Sequence, residues 1–260
     1  MSLHILSLET SSAWCGVALL RATDAGAVDL VVREHQGVQE HSARLLPMVQ
    51  EVLDEAGIAR TQLDAIAFGQ GPGGFTGLRV ACGVAQGLGF ALERPVIPVV
   101  SHAAVAQQVQ DAGQRPLVVA MDARMQEIYL AVYRRESPDR LACLIEPQLM
   151  AGEGLEAWLR ASLAGLGGPA MRSPWLCGDA AKAYPEVFAG FGADERADVA
   201  RPTAAAVARL AHGAYLRGET VAPELAAPLY VRDKVAFTTA EREAGAGGNP
   251  RVAPSSGAQS

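Results

Sequence analysis

Hydrophobic residues recur along this chain with two periodicities that alternate, and the alternation predicts an α/β protein. Short apolar runs bounded by turn residues predict strands, whereas apolar positions three and four residues apart predict helices. The predicted strands cover residues 3–8, 14–20, 28–34, 65–69, 96–100, 117–121, 127–133 and 174–177. The predicted helices cover residues 42–56, 75–92, 102–111, 153–163 and 203–216, and residues 227–235 are predicted to be extended.

A strand, an acidic residue, a turn and a second strand follow one another twice in the sequence. Adding 113 to the numbering of the first hairpin places Glu9 on Asp122 and residues 17–19 on residues 130–132. We therefore predict two similar domains, 1–112 and 113–236. Residues 237–260 end in a segment rich in Gly, Ala, Ser and Pro, which has little to bury, so they are predicted to be a disordered tail.

Composition favours a cytoplasmic protein with a substantial core. The chain has 260 residues, of which 50% are hydrophobic and 19% are charged. Its net charge of −6 argues against a protein that binds nucleic acid by itself, because the affinity for nucleic acid comes mainly from neutralisation of phosphates by basic residues. No apolar run reaches the roughly 18 residues of a membrane span, and no signal peptide is apparent. The four cysteines are scattered, as expected of free thiols in a reducing compartment.

A glycine-rich segment, residues 65–77, joins a predicted strand to a long apolar helix. The N-terminus of such a helix can hold an anion, so phosphate binding is one interpretation. A Walker A loop requires Lys before its last residue, but Phe75 stands there. Gly69, Gly71 and Gly74 match the spacing of the dinucleotide fingerprint, yet its acidic residue is missing. The other interpretation, a tight turn with close helix packing, remains equally open.

Several segments together resemble the TsaB family, the bacterial partner proteins of tRNA threonylcarbamoyladenosine synthesis. The glycine segment and the Asp-Ala-Arg turn at 122–124 are the most specific of them, and the resemblance spans residues 3–236. The matching segments are residues 8–11, 41–42, 46–49, 68–79, 121–125 and 228–232.

The resemblance implies a fold, a function and partners. The expected fold consists of two related actin-like/RNase H-like α/β domains, each around a mixed five-stranded sheet. The implied function is that of a non-catalytic scaffold for TsaD, which transfers threonylcarbamoyl to the adenosine beside the anticodon, with TsaE as a third member. Contact with tRNA is then indirect, no membrane is involved, and this chain requires no cofactor, although ATP and Mg²⁺ are possible for the complex.

The two helices 42–56 and 75–92 are the expected partner surface. The second helix is apolar nearly all round, which is typical of a helix buried on both sides. Helix 42–56 could cover its outer side; the family suggests instead that both helices pack against the matching pair of TsaD. The expected interface residues are Leu45, Met48, Val49, Val52, Val80, Val84 and Leu88.

An alternative function is that of a kinase-like enzyme that binds ATP between its domains. An acidic residue ends the first strand of each predicted domain, and carboxylates are suitable ligands for Mg²⁺. The candidate nucleotide-loop residues are Glu9, Thr10, Gly71, Gly73, Gly74 and Asp122. Against this reading, neither turn carries a phosphate-binding Lys, and Asp122 could simply bond Arg124 or nearby backbone. A third reading is a homodimer formed through the same helices when TsaD is absent.

No catalytic or metal site is expected from the sequence. The five histidines form no ligand pattern, and His41 is expected to be a helix-start residue that is hydrogen-bonded locally.

Overall fold

The strands of the described residues form two sheets. The computed structural model describes residues 2–23, 26–37, 40–110, 112–167 and 173–231. The strands are β1 Ser2–Glu9, β2 Trp14–Thr23, β3 Val28–Gln36, β4 Ala65–Gly71, β5 Val96–Val100, β6 Leu117–Asp122, β7 Glu127–Ser137, β8 Arg140–Ala151 and β9 Trp175–Cys177. The helices are α1 His41–Ala56, α2 Phe75–Leu92, α3 Ser101–Ala106, α4 Leu155–Gly165, α5 Ala180–Ala183 and α6 Ala204–Leu216.

The first sheet has five strands in the order β3-β2-β1-β4-β5. The hairpins β1–β2 and β2–β3 are antiparallel, whereas β4 and β5 run parallel to their neighbours. The parallel strands need crossover connections, and the helices α1 and α2 supply them. Both helices therefore lie over the sheet, with their apolar sides in one core cluster.

The second sheet repeats this arrangement with four strands in the described residues. Its order is β8-β7-β6-β9, with β6 parallel to β9 and antiparallel to β7. The fifth strand that the family resemblance implies for this sheet is not found among the described residues. The repeat also differs from the sequence-based alignment by one residue in its second strand. Leu8 pairs with Val17, and Met121 pairs with Tyr129 rather than Leu130, because the second turn is shorter.

Helix α6 crosses back from the second half of the chain to the first sheet. Its alanines and Val207 pack against Ile5, Leu20 and Val99, on the face opposite to α1 and α2. The short residues allow a close approach of helix and sheet. The sequence-based division at residue 112 does not anticipate this return, which makes residues 204–216 part of the N-terminal core.

The last described residues, 226–231, extend along α2, and we call them the strap. The backbone carbonyl of Ala226 accepts a hydrogen bond from the Gln86 side chain at 2.9 Å. The N–H of Leu229 donates to the carbonyl of Gln70 at 2.7 Å. The predicted extended segment is thus observed up to Val231, and the predicted tail lies outside the described residues.

Candidate functional site

The carboxylate of Glu9 lies at the end of β1, where it is 2% exposed. It accepts hydrogen bonds from the Ser11 N–H at 2.6 Å and from the Ser101 hydroxyl at 3.0 Å. Gly69 leaves room for it, because a Cβ atom at that position would lie 1.9 Å from a Glu9 oxygen. Burial raises the pKa of the Glu9 carboxyl, and these hydrogen bonds oppose the shift. The carboxylate therefore ties the first turn to α3.

The glycines of the loop before α2 serve close packing against the same turn. A Cβ atom added at Gly77 would lie 1.9 Å from the carbonyl oxygen of Thr10, and one at Gly73 would lie 2.4 Å from that of Ser11. The Thr10 hydroxyl donates to the Gly77 carbonyl at 2.7 Å. These contacts are the close packing that the second interpretation of the glycine segment predicts.

Asp122 holds the corresponding turn of the second domain. One oxygen of its carboxylate accepts hydrogen bonds from the Arg124 N–H and the Tyr184 hydroxyl, both at 2.7 Å. The other oxygen is 3.1 Å from the Arg124 guanidinium. The expected contacts of Asp122 with Arg124 and with backbone are thus both present. Its own N–H donates to Asp179, whose pKa burial raises.

The two turns face each other across a cleft of about 350 Å³ between the domains. Three of the six candidate nucleotide-loop residues line it, namely Gly73, Gly74 and Asp122. The other three, Glu9, Thr10 and Gly71, are buried beneath the turn or behind the loop. The cleft therefore presents the carboxylate of Asp122 and hides that of Glu9.

Sequence reasoning missed two residues that line this cleft. Asp179 comes two residues after the end of β9, so an acidic residue just past a predicted strand was the signal that could have found it. His102 is 1% exposed, and its Nε2 atom lies 3.1 Å from the carbonyl oxygen of Tyr129 in the second sheet. Burial lowers the pKa of His102 to about 4, so its ring is neutral at pH 7. No sequence pattern marked it, because its partner is a backbone atom.

The first half of the expected partner surface is wrong. Leu45, Met48, Val49 and Val52 are at most 3% exposed and pack against the first sheet. They have no surface left for a partner, because the apolar side of α1 covers its own sheet. Leu46, 52% exposed, is the large apolar residue of α1 that faces outward.

Helix α2 retains an open side, which we call the open face. Val80, Val84 and Leu88 are half-buried at its border with the core. Gly83 and Gly87 are exposed, and a Cβ atom added to either would meet nothing within 4 Å. Such residues permit another helix to approach closely. The opposite side of α2 is buried against the first sheet through residues such as Ala81 and Ala85, and the strap contacts it at Gln86.

Length and composition alone would let α2 cross a membrane, and it is the one helix of the described residues to which this applies. In this structure it packs on the first sheet through buried residues along its length. His41 is buried at the start of α1, as expected, but its Nε2 lies 3.1 Å from the carbonyl oxygen of Ser12, 29 residues away, so its hydrogen bond is not the local one that was expected. No three His, Cys, Asp or Glu side chains among the described residues could hold a metal ion.

Known proteins are similar to this chain over most of its length. The family model described as TsaD, tRNA N6-adenosine threonylcarbamoyltransferase, matches residues 31–238. The tRNA threonylcarbamoyladenosine biosynthesis protein TsaB of Escherichia coli (strain K12) is 33% identical over 240 residues, 90% of this chain and 97% of that protein. The chain belongs to the TsaB family.

Two further comparisons agree with membership of the TsaB family. The protein of the same name from Haemophilus influenzae is 42% identical over 136 residues, 52% of this chain and 56% of that protein. A crystal structure from Pseudomonas aeruginosa, described as an uncharacterized protein with similarity to peptidase YEAZ, superposes with a TM-score of 0.73. It is 34% identical, and the match covers 88% of this chain and all of that one. The expected actin-like α/β fold is thereby confirmed.

Proposed function

We propose that this chain acts in the synthesis of threonylcarbamoyladenosine in tRNA as a non-catalytic partner of TsaD. The observation that carries the proposal is the open face of α2 in a chain that belongs to the TsaB family. Gly83 and Gly87 leave room there for a helix of the partner, and Val84 borders that space. Apolar surface beside small residues is suited to a helix–helix contact with a close interaxial distance.

The cleft geometry supports a non-catalytic role. Glu9 is turned inward and hydrogen-bonded within the fold, so it has no free access to a nucleotide in the cleft. Asp122 is engaged by Arg124 and Tyr184. The proposal accordingly requires no cofactor for this chain and assigns ATP and Mg²⁺ to the complex. It further includes a cytoplasmic location, TsaE as a third member, indirect contact with tRNA, and self-association through the open face when TsaD is absent.

A charge on the open face tests the proposed contact. Val84→Glu and Gly87→Glu should each abolish binding of the cognate TsaD, because an unpaired charge buried in an interface costs several kcal/mol. Binding is measured by isothermal titration calorimetry with the purified proteins. Ala157→Glu, which places the same charge on the exposed side of α4, is the control and should leave binding unchanged.

Gly87→Glu keeps the test independent of folding. Val84 is half-buried, so its replacement also strains the core, whereas a side chain at Gly87 extends into open space. Unaltered affinity of a folded Gly87→Glu variant would contradict the proposed interface.

A further inference from the structure

Arg79 lies in an aromatic frame at the N-terminal end of α2. Its guanidinium carbon is 3.4 Å from the centre of the Phe75 ring and 5.6 Å from that of Tyr230 in the strap. Its Nε–H donates to the Tyr230 hydroxyl at 3.0 Å. Phe75 is 39% exposed and Tyr230 is 47% exposed, so the frame lies at the surface. The guanidinium is therefore oriented before any partner arrives, which lowers the entropic cost of binding.

The terminal amino groups of Arg79 distinguish it from the other stacked arginines. In the described residues three more guanidinium groups lie on aromatic rings, those of Arg115, Arg160 and Arg201. Each of them also donates through a terminal amino group to an oxygen of the chain. Arg201, for example, makes a two-pronged contact with the Glu34 carboxylate at 2.8 and 3.0 Å. Arg79 makes no such contact within the described part of the chain.

We propose that Arg79, held by Phe75 and Tyr230, receives a carboxylate of the protein partner beside the open face of α2. The planar guanidinium offers two parallel donors, which match a carboxylate. Arg79 lies one turn before Gly83 on the same helix, so one protein can contact both. Tyr, Phe and Arg are also types enriched where interfaces gain most of their affinity.

A single carboxylate of a protein partner suits the surroundings better than nucleic acid does. The chain carries a net charge of −6, and the nearby cleft presents Asp122 and Asp179. The negative net charge disfavours a phosphate backbone, which carries many negative charges, whereas a single glutamate or aspartate needs only one matching cation. The inference rests on the proposed function, because the partner is the TsaD that the open face contacts.

Replacement of Arg79 tests the inference by calorimetric titration with the cognate TsaD. Arg79→Gln should weaken binding at least tenfold, because it removes the cation and leaves the partner carboxylate unpaired. Arg79→Lys should lose most of the same affinity, since an ammonium offers no planar fork. Arg209→Gln, on the exposed side of α6 across the sheet, is the matched control and should bind normally. Raising the salt concentration from 50 to 500 mM should weaken the binding of the native protein to TsaD more than it weakens the binding of Arg79→Gln.

The outcomes separate this inference from the proposed function. If the native protein fails to bind TsaD, the proposed function fails first. If the native protein binds and folded Arg79→Gln binds equally well, Arg79 merely fixes the strap and the inference is overturned. If Arg79→Gln keeps its affinity for TsaD and loses only affinity of the complex for tRNA, the carboxylate is the wrong ligand and the inference is again overturned.

Discussion

The buried side chain of His102 reaches from α3 to the second sheet and carries no charge at neutral pH. Its neutral ring donates from Nε2 to the Tyr129 carbonyl, while Nδ1 is buried without a hydrogen-bond partner among the described residues. A proton on Nδ1 would place an unpaired charge in the interior. This arrangement links the contact between the domains to pH.

We expect the stability of the protein to fall as the pH decreases from about 6.5 to about 4. The unfolded chain binds a proton at His102 near its ordinary pKa of 6.5, whereas the folded chain does so only near 4. The free energy of unfolding should therefore drop by roughly 1–3 kcal/mol across this window on account of His102. Urea unfolding at pH 7 and pH 4.5 measures the drop.

His102→Gln isolates this contribution. Glutamine can donate to the Tyr129 carbonyl but does not titrate, so the variant should lose less stability between the two pH values. His212→Gln, at a half-exposed position of α6, serves as the control and should behave as the native protein. An equal pH dependence of His102→Gln and the native protein would show that His102 does not titrate as described.

Helix α2 has glycines with opposite roles, and the difference lies in what each one faces. Gly77 faces the Thr10 carbonyl, whereas Gly83 faces open space. Gly77→Ala should lower the free energy of unfolding by about 2–3 kcal/mol, because the backbone must shift to admit a methyl group. Gly83→Ala should raise it by roughly 0.5–1 kcal/mol, since alanine is the better helix residue.

Thermal and urea unfolding of the isolated chain compare the two variants directly. Each replaces one glycine of the same helix by the same residue, so each controls for the other. A loss of stability in Gly83→Ala would mean that the open face of α2 is covered within the isolated chain.

The elements themselves could be predicted from the sequence to differing degrees. The strands around both turns and the long helix α2 were found because their apolar runs are clear. Strand β8 was missed, since it lies at a sheet edge and only Leu149 along it is buried, so the sequence shows no clean alternation. The outward side of α1 was misjudged because helical spacing reveals an apolar side but not what covers it.

The candidate site, like the elements, could be predicted from the sequence only in part. The repeat in the sequence predicts that Glu9 and Asp122 each end a strand, and β1 and β6 do end at these residues. Their different exposure follows from long-range contacts, with Ser101 and Gly69 around Glu9 and with Tyr184 beside Asp122. Such contacts leave no local pattern in the sequence.

At the scale of the whole molecule, the two halves of the chain are joined by α6. This helix buries Ile5, Leu20 and Val99 on the far face of the first sheet. Arg201, just before it, pairs with Glu34 on β3 and stacks on Trp14. The N-terminal domain is therefore incomplete until α6 has folded onto it.

We expect residues 1–112 alone to be insoluble or unfolded, because one apolar face of the sheet is left uncovered. Joining residues 202–231 to them through a flexible linker should restore a cooperative unfolding transition, measured by circular dichroism. The same fusion with Ala208→Asp, at a fully buried position of α6, is the control and should fail to fold. A cooperatively folded fragment 1–112 would contradict the assignment of α6 to the N-terminal core.

We propose that TsaD needs this chain and that the chain does not perform the chemistry itself. The most direct measurement is tRNA threonylcarbamoylation by the purified cognate TsaD system, with and without this chain. We expect product to form only when the chain is present, Gly87→Glu to fail to support its formation, and the chain alone to form none. Full activity in the absence of the chain, or product formed by the chain alone, would contradict the proposed function.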